Sequence, residues 1–471
     1  MKSPIVAALV ACCLVLPPAS ATRSGPAPSD PAVSQVREDS YYPAIGDPSV
    51  DVLHYDLVLD WDDVDRVLTG TATLTFRSPR DQAAVRLDLD SHLSVDALTL
   101  DGTAVEFTHP GKNLLVDSGA LARGSRHTLV VMYAGKPVPY DFPGSRSDIP
   151  GLGWTSTRTG EVWSMQEPYG AFTWYPSNDQ PSDKATYDLT ITTRDDWVGV
   201  SNGELSSNTV SDVDGVERRT THFRMRSPAA SYLVTIAIGP YRRYTDTGPH
   251  DLPITYWVRP SDRDLLPLLR KTPDMLRWLE RVLGPYPFDR AGTVVVPSDS
   301  AMETQTLVTM GAGLGRDETL FTKDLLHEYG HQWYGDTVTP DDWKHLWLNE
   351  SFTMYVQIRW EIAHGIRSAA EWHAILEQYD QQYRTTGGPP GSYARSEFGS
   401  GSVYYCGARM LFRLRDRLGA ATFDRLLRTW PQRHRFGSAD RDDWIRYAEN
   451  LTDTKLRGFV DRWLDAKTSP R

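Results

Sequence analysis

The chain has 471 residues, 40% hydrophobic and 11% aromatic, with 15 Trp and 22 Tyr; this supplies ample apolar surface for two packed domains and excludes a largely disordered protein. The formal net charge is -11 and no long basic run occurs, which disfavours nucleic acid and anionic membranes as partners. With 3 cysteines, two of them adjacent near the start, a disulfide framework is also excluded.

In chain order, Met1-Lys2-Ser3, an apolar run from Pro4 to Leu16, Pro17-Pro18 and the small triplet Ala19-Ser20-Ala21 have the order of a secretory signal. The run is too short to span a bilayer stably. Residues 1–21 are therefore expected to be a signal peptide cleaved near Ala21, giving a secreted protein with no transmembrane segment. Lipid anchoring at Cys12 is the weaker alternative, because the apolar run continues past that cysteine. Cleavage leaves Cys406 as the sole cysteine and, by removing Lys2, makes the mature chain more acidic.

Residues 22–47 are rich in Pro, Ser, Gly and Ala without periodicity, the composition of a linker or mobile arm. Residues 48–260 carry strand signals: alternation over Val52–Trp61, Leu68–Phe76, Tyr187–Thr192, His222–Met225 and Ile254–Val258, punctuated by turns such as Asn202-Gly203 and Asp214-Gly215. An antiparallel sheet or sandwich is expected there. From residue 261 to 471 the pattern changes to amphipathic helices, among them Leu265–Val282, Leu320–Tyr334, Ser351–His364 and Gly407–Leu418, interrupted by one short strand, Thr293–Val296. No internal repeat is visible.

Within the second of these helices lies His327-Glu328-Tyr329-Gly330-His331. Histidines at i and i+4 project from one face about 6 Å apart, which suits two imidazoles reaching one tetrahedral metal. Glu328 stands beside the metal but points elsewhere, where it can hold a water, accept its proton and later protonate the leaving amine. With eighteen residues between it and His331, Glu350 opens the next helical stretch and completes a two-His, one-Glu set that leaves a coordination position free. One Zn2+ is the expected metal; iron oxygenases share the ligand set but do not place an acid directly after the first histidine. Asp336 and Asn349 are the expected partners that orient the ligands.

The zinc segment, together with Gln166-Glu167-Pro168, Gly284-Pro285-Tyr286-Pro287-Phe288, Ser300-Ala301-Met302-Glu303-Thr304 and Tyr404-Tyr405-Cys406-Gly407-Ala408 in that order, resembles the aminopeptidase N family of gluzincins, relatives of thermolysin that include leukotriene-A hydrolase. The resemblance covers nearly the whole chain from about Tyr41 to Trp463. It implies an α+β, two-domain fold: an N-terminal antiparallel β-sandwich-like domain, then a mainly helical thermolysin-like catalytic domain. It implies that Glu303 binds the free α-ammonium of a peptide, that Glu167 shares that amine, and that the backbone at Ala301 and Met302 lines the substrate cleft. It also implies that Tyr404 donates to the developing oxyanion, with Tyr405 as the neighbouring alternative. The departures are Ser300 and Thr304, where the family has Gly and Asn, and Cys406, where it often has Lys. Larger members continue with further domains that enclose the cleft, so a more open cleft is expected in a chain ending near Arg471.

The expected activity is therefore a zinc-dependent aminopeptidase acting on peptides with a free N-terminus, with Glu328 as general base, working as a monomer. A thermolysin-like endopeptidase is the alternative within the enzymes, separable by N-terminal acetylation of the substrate. A non-catalytic scaffold keeping the fold is disfavoured because every ligand and the base are present.

Overall fold

The computed structural model describes residues 34–142, 144 and 149–470, and the described residues from 34 onward belong to one compact unit. The expected signal peptide, its cleavage site, Cys12 and the first part of the expected linker lie outside the described residues. No helix among the described residues is long and apolar enough to cross a membrane.

The β-rich part is built on an eight-stranded sheet in the spatial order Glu204–Val213, Val216–Ala230, Lys184–Arg194, Asp51–Asp62, Val67–Arg77, Arg126–Gly135, Leu93–Leu100 and Thr103–Ala104. Strict alternation drives its pairing: in Asp51–Asp62, residues Tyr55, Leu57, Leu59 and Trp61 point inward and are buried. Asp214-Gly215 closes the Glu204–Val213 hairpin with both residues at positive φ, 53° and 84°, the geometry that matches strand twist. Asn202-Gly203, by contrast, is a corner between two sheets, since Val198–Ser201 pairs with Ile236–Gly239 elsewhere. The sheet is not wholly antiparallel: Asp51–Asp62 and Lys184–Arg194 run parallel, because the chain between them first extends the sheet on the far side of Asp51–Asp62 and then crosses over to enter beside it in the same direction.

A second, mixed sheet belongs to the catalytic half, in the order Arg242–Thr247, Pro253–Val258, Ala291–Val296, Val308–Gly311 and Ala301–Met302. The strand expected near 293–296 thus has partners on both sides, and the two strands before residue 260 share its sheet. Around it pack the helices α1 (Leu266–Leu269), α2 (Thr272–Leu283), α3 (Glu318–His331), α4 (Trp347–Ala363), α5 (Ala369–Gly387), α6 (Gly407–Leu418), α7 (Ala420–Arg433), α8 (Arg441–Thr452) and α9 (Arg457–Asp465).

Two hydrophobic clusters form, one centred on the large sheet and one on the helices, and Tyr404 packs against both. The halves are also joined by polar contacts. Buried Lys184 donates to the carbonyl of Asp336 at 2.7 Å, and residues 34–47 dock rather than dangle: Asp39 accepts from the backbone of Trp343 at 2.6 Å, Ser40 Oγ donates to Asp342 at 3.0 Å, and Tyr41 donates to the Tyr393 carbonyl at 2.8 Å.

Candidate metal centre and active site

α3 starts where the Asp317 side chain accepts from the backbone N–H groups of Thr319 and Leu320 at 2.8 and 3.0 Å. Its last two turns are buried on every side, which places His327 and His331 inside the protein, 8% and 2% exposed. α4 crosses it and brings Glu350 up from its first turn. Glu350 Oε2 lies 3.3 Å from His327 Nε2 and 3.4 Å from His331 Nε2, so three donor atoms converge on one point.

The other ring nitrogens show why they converge. His327 Nδ1 donates to Gln357 Oε1 at 3.0 Å, and Gln357 Nε2 in turn donates to Glu361 at 3.0 Å. His331 Nδ1 donates to the Tyr334 carbonyl at 3.0 Å. Both imidazoles are thereby fixed in the tautomer whose Nε2 lone pair faces Glu350, the state a metal requires. Asp336 and Asn349, expected in this role, do something else: Asp336 accepts from Gln332 Nε2 at 2.6 Å and Asn349 donates to Tyr232 at 3.3 Å. The nearness of Asp336 to His331 in sequence was no guide because the chain turns away after His331. That turn is a widened helical turn, Gln332–Asp336, with Gly335 inside it at φ 131°, and it aims the Tyr334 carbonyl back at His331. A donor set of two imidazoles and one carboxylate, each pre-oriented and buried, fits one zinc ion.

A cleft of about 540 Å³ opens over this centre. Glu328 faces it; burial, and then the carboxylates of Glu303, Glu350 and Asp324, hold its carboxyl well above the usual range, with His331 opposing. Glu303 sits at the end of the Ala301–Met302 strand, 3% exposed, with Oε1 buried and, among the described residues, without a hydrogen-bond partner. Its backbone carbonyl accepts from Gln332 Nε2 at 3.0 Å, and Gln332 Oε1 accepts from Thr306 N–H at 2.9 Å, so the residue after His331 clamps the loop that carries Glu303. Thr304 bonds to Thr309 Oγ1 at 2.8 Å, which ties the loop end down where the family has Asn. Ala301 lines the cleft; the Met302 side chain is buried away from it, its sulfur accepting from the Gln166 N–H at 3.4 Å. Glu167 reaches the cleft from the β-rich half, held by Gln166, whose amide donates to the carbonyls of Ser231 and Val234 at 2.8 Å each.

Tyr404 and Tyr405 lie in a second widened turn, Ser402–Cys406, and part company there. The Tyr404 ring stands 6.0 Å from that of His327, whereas Tyr405 stacks on Tyr383 at 5.6 Å and meets Tyr379 edge-on at 4.9 Å. Gly407 permits this placement, because a Cβ there would lie 1.6 Å from Ser351 Oγ on α4. Cys406 is buried beside the Asp380 carbonyl, and burial pushes its thiol far up, consistent with a packing residue. A second acidic group, Asp341, Asp440 and Asp443, is already used: Arg37 pairs with Asp341 at 2.8 Å, and Asp440 and Asp443 cap α8.

Fold and site together have the form of a two-domain metallopeptidase, with two histidines and one glutamate placed to hold one zinc ion. The family model of the peptidase M1 N-terminal domain matches residues 52–233 and that of the peptidase family M1 domain matches residues 268–463; the chain belongs to peptidase family M1. It is 24% identical to aminopeptidase N of Lactobacillus delbrueckii subsp. lactis over 449 residues, covering 88% of this chain and 51% of that protein. It is 25% identical to aminopeptidase B of Mus musculus, covering 86% of this chain and 67% of that protein. The chain thus spans about half the length of several relatives it matches. The M1 zinc metallopeptidase of Deinococcus radiodurans, in a mutant form bound to a Tyr-Ser-Ala substrate, superposes with a TM-score of 0.79 at 26% identity, over 93% of this chain and 99% of that one.

Proposed function

We propose that this protein is a zinc-dependent aminopeptidase that removes the N-terminal residue from peptides. The observation that carries the reading is the buried carboxylate of Glu303, its Oε1 without a hydrogen-bond partner among the described residues, in the same cleft as three converged metal donors and Glu328. An unpartnered buried carboxylate oxygen is costly unless a ligand meets it, and an α-ammonium offers three donors and a full charge. His327, His331 and Glu350 would hold the zinc ion, which when bound would supply Lewis acidity toward water and the scissile carbonyl. Glu328 takes the proton of the attacking water and returns it to the leaving amine. The Tyr404 hydroxyl stabilises the oxyanion, a charge that exists only along the reaction path. Glu303 and Glu167 hold the amine, which fixes the chain start relative to the metal and limits cleavage to one residue.

The reading is tested with a free peptide and its N-acetylated form. Release of the first amino acid from the free peptide alone supports it; internal cleavage of the acetylated peptide would establish the endopeptidase reading instead. Export is supported by the order of charge, apolar run and small residues up to Ala21, and N-terminal sequencing of protein from the culture medium tests it. A monomeric state is proposed with it, checked by light scattering.

A further inference from the structure

We propose that Asp324, Tyr405 and Tyr383 form a subsite for a long cationic side chain, arginine or lysine, on the second residue of the peptide. The proposal rests on the aminopeptidase reading and extends it to substrate class. Asp324 lies on α3 one turn before His327, so its side chain shares that face of the helix and lines the cleft. Among the described residues it makes no hydrogen bond and no ion pair, although Lys323 lines the cleft beside it. Burial raises its carboxyl to about 6, with His327 and Lys323 opposing, so it is ionised at neutral pH and above. A half-buried carboxylate with no protein partner is a recognition element in search of a cation.

The aromatic groups supply the rest. Tyr405 and Tyr383 both line the cleft with rings stacked at 5.6 Å and 13°, and Tyr379 braces Tyr405 edge-on at 4.9 Å. Asp324 lines the same cleft as both rings, so carboxylate and aromatic faces border one space. Aromatic faces beside a carboxylate suit a guanidinium or ammonium better than an apolar or acidic side chain.

Position along α3 tells which substrate residue enters. Gln332, just past His331, clamps the Glu303 loop, while Asp324 lies eight residues earlier, about 12 Å away along the axis. The metal donors His327 and His331 stand between. With the amine at Glu303, the chain must run antiparallel to α3, and the residue after the scissile bond meets Asp324.

The test uses the zinc-loaded enzyme and four tripeptides, Leu-Arg-Ala, Leu-Lys-Ala, Leu-Leu-Ala and Leu-Glu-Ala, following leucine release. The inference predicts kcat/KM for the arginine peptide about tenfold above the leucine peptide, with the glutamate peptide slowest. Asp324→Asn should shrink the arginine-to-leucine ratio to within about threefold, and Asp324→Lys should reverse the order of the arginine and glutamate peptides. Equal rates in the natural enzyme, or a preference kept by Asp324→Asn, overturn the inference while leaving the aminopeptidase reading intact. No leucine from any peptide overturns that reading itself. The comparison in the natural enzyme needs no variant to fold.

Discussion

Replacing Gln357 with leucine removes the acceptor of His327 Nδ1 and keeps most of the side-chain volume. The lost contact is a 3.0 Å hydrogen bond between buried groups, so His327 is left with an unsatisfied N–H and an unfixed tautomer. A buried donor stripped of its partner costs about 1–3 kcal/mol. At about 1.4 kcal/mol per decade, zinc affinity should fall by roughly 10- to 100-fold, the range found when such supporting partners are removed elsewhere. Glu361, which loses the Gln357 amide at 3.0 Å, adds to the cost. Competition with a chelator of known affinity measures the change, and thermal unfolding of the zinc-free protein separates it from general destabilisation. A zinc affinity within about threefold of the natural protein would refute the claim that Gln357 fixes the ligand.

Gly335→Ala combines a φ of 131° with a Cβ 3.3 Å from His331 Nδ1 and from Asn349; a loss on the order of 2 kcal/mol and weaker zinc binding are expected, read by unfolding and chelator competition. Tyr404→Phe should lower kcat by roughly 100-fold with little change in KM; a kcat near its natural value would remove the oxyanion role from Tyr404. Burial, reinforced by Lys344, lowers His345 to about 4, so between pH 6.5 and 4 the unfolded state binds the extra proton and stability falls as pH falls. The loss reaches about 3 kcal/mol by pH 4, and His345→Phe should flatten urea-melt stability across that window.

The parts of this protein that are local in sequence were legible from it. Two histidines one helical turn apart, an acid between them and Glu350 at the start of the next helix define the metal set without reference to distant chain. Strand alternation predicted Asp51–Asp62 and its neighbours closely, because one buried face imposes period two. What escaped depends on packing between distant segments. Gln357 could have been found, since it lies two turns after Glu350 on the same face of α4, but the Tyr334 carbonyl could not, because it depends on the backbone turn at Gly335. The docking of residues 34–47 was hidden by their composition; it rests on single contacts such as Asp39 with Trp343 rather than on any periodic pattern. The parallel pairing of Asp51–Asp62 with Lys184–Arg194 likewise joins segments more than a hundred residues apart.

The central claim is that His327, His331 and Glu350 hold one zinc ion while Glu328 moves the proton. Glu328→Gln measured for zinc content and for turnover of a leucyl amide tests both halves at once. The account predicts about one zinc per chain with turnover reduced by three or more orders of magnitude. Turnover near that of the natural protein, or loss of the metal with the substitution, would contradict it.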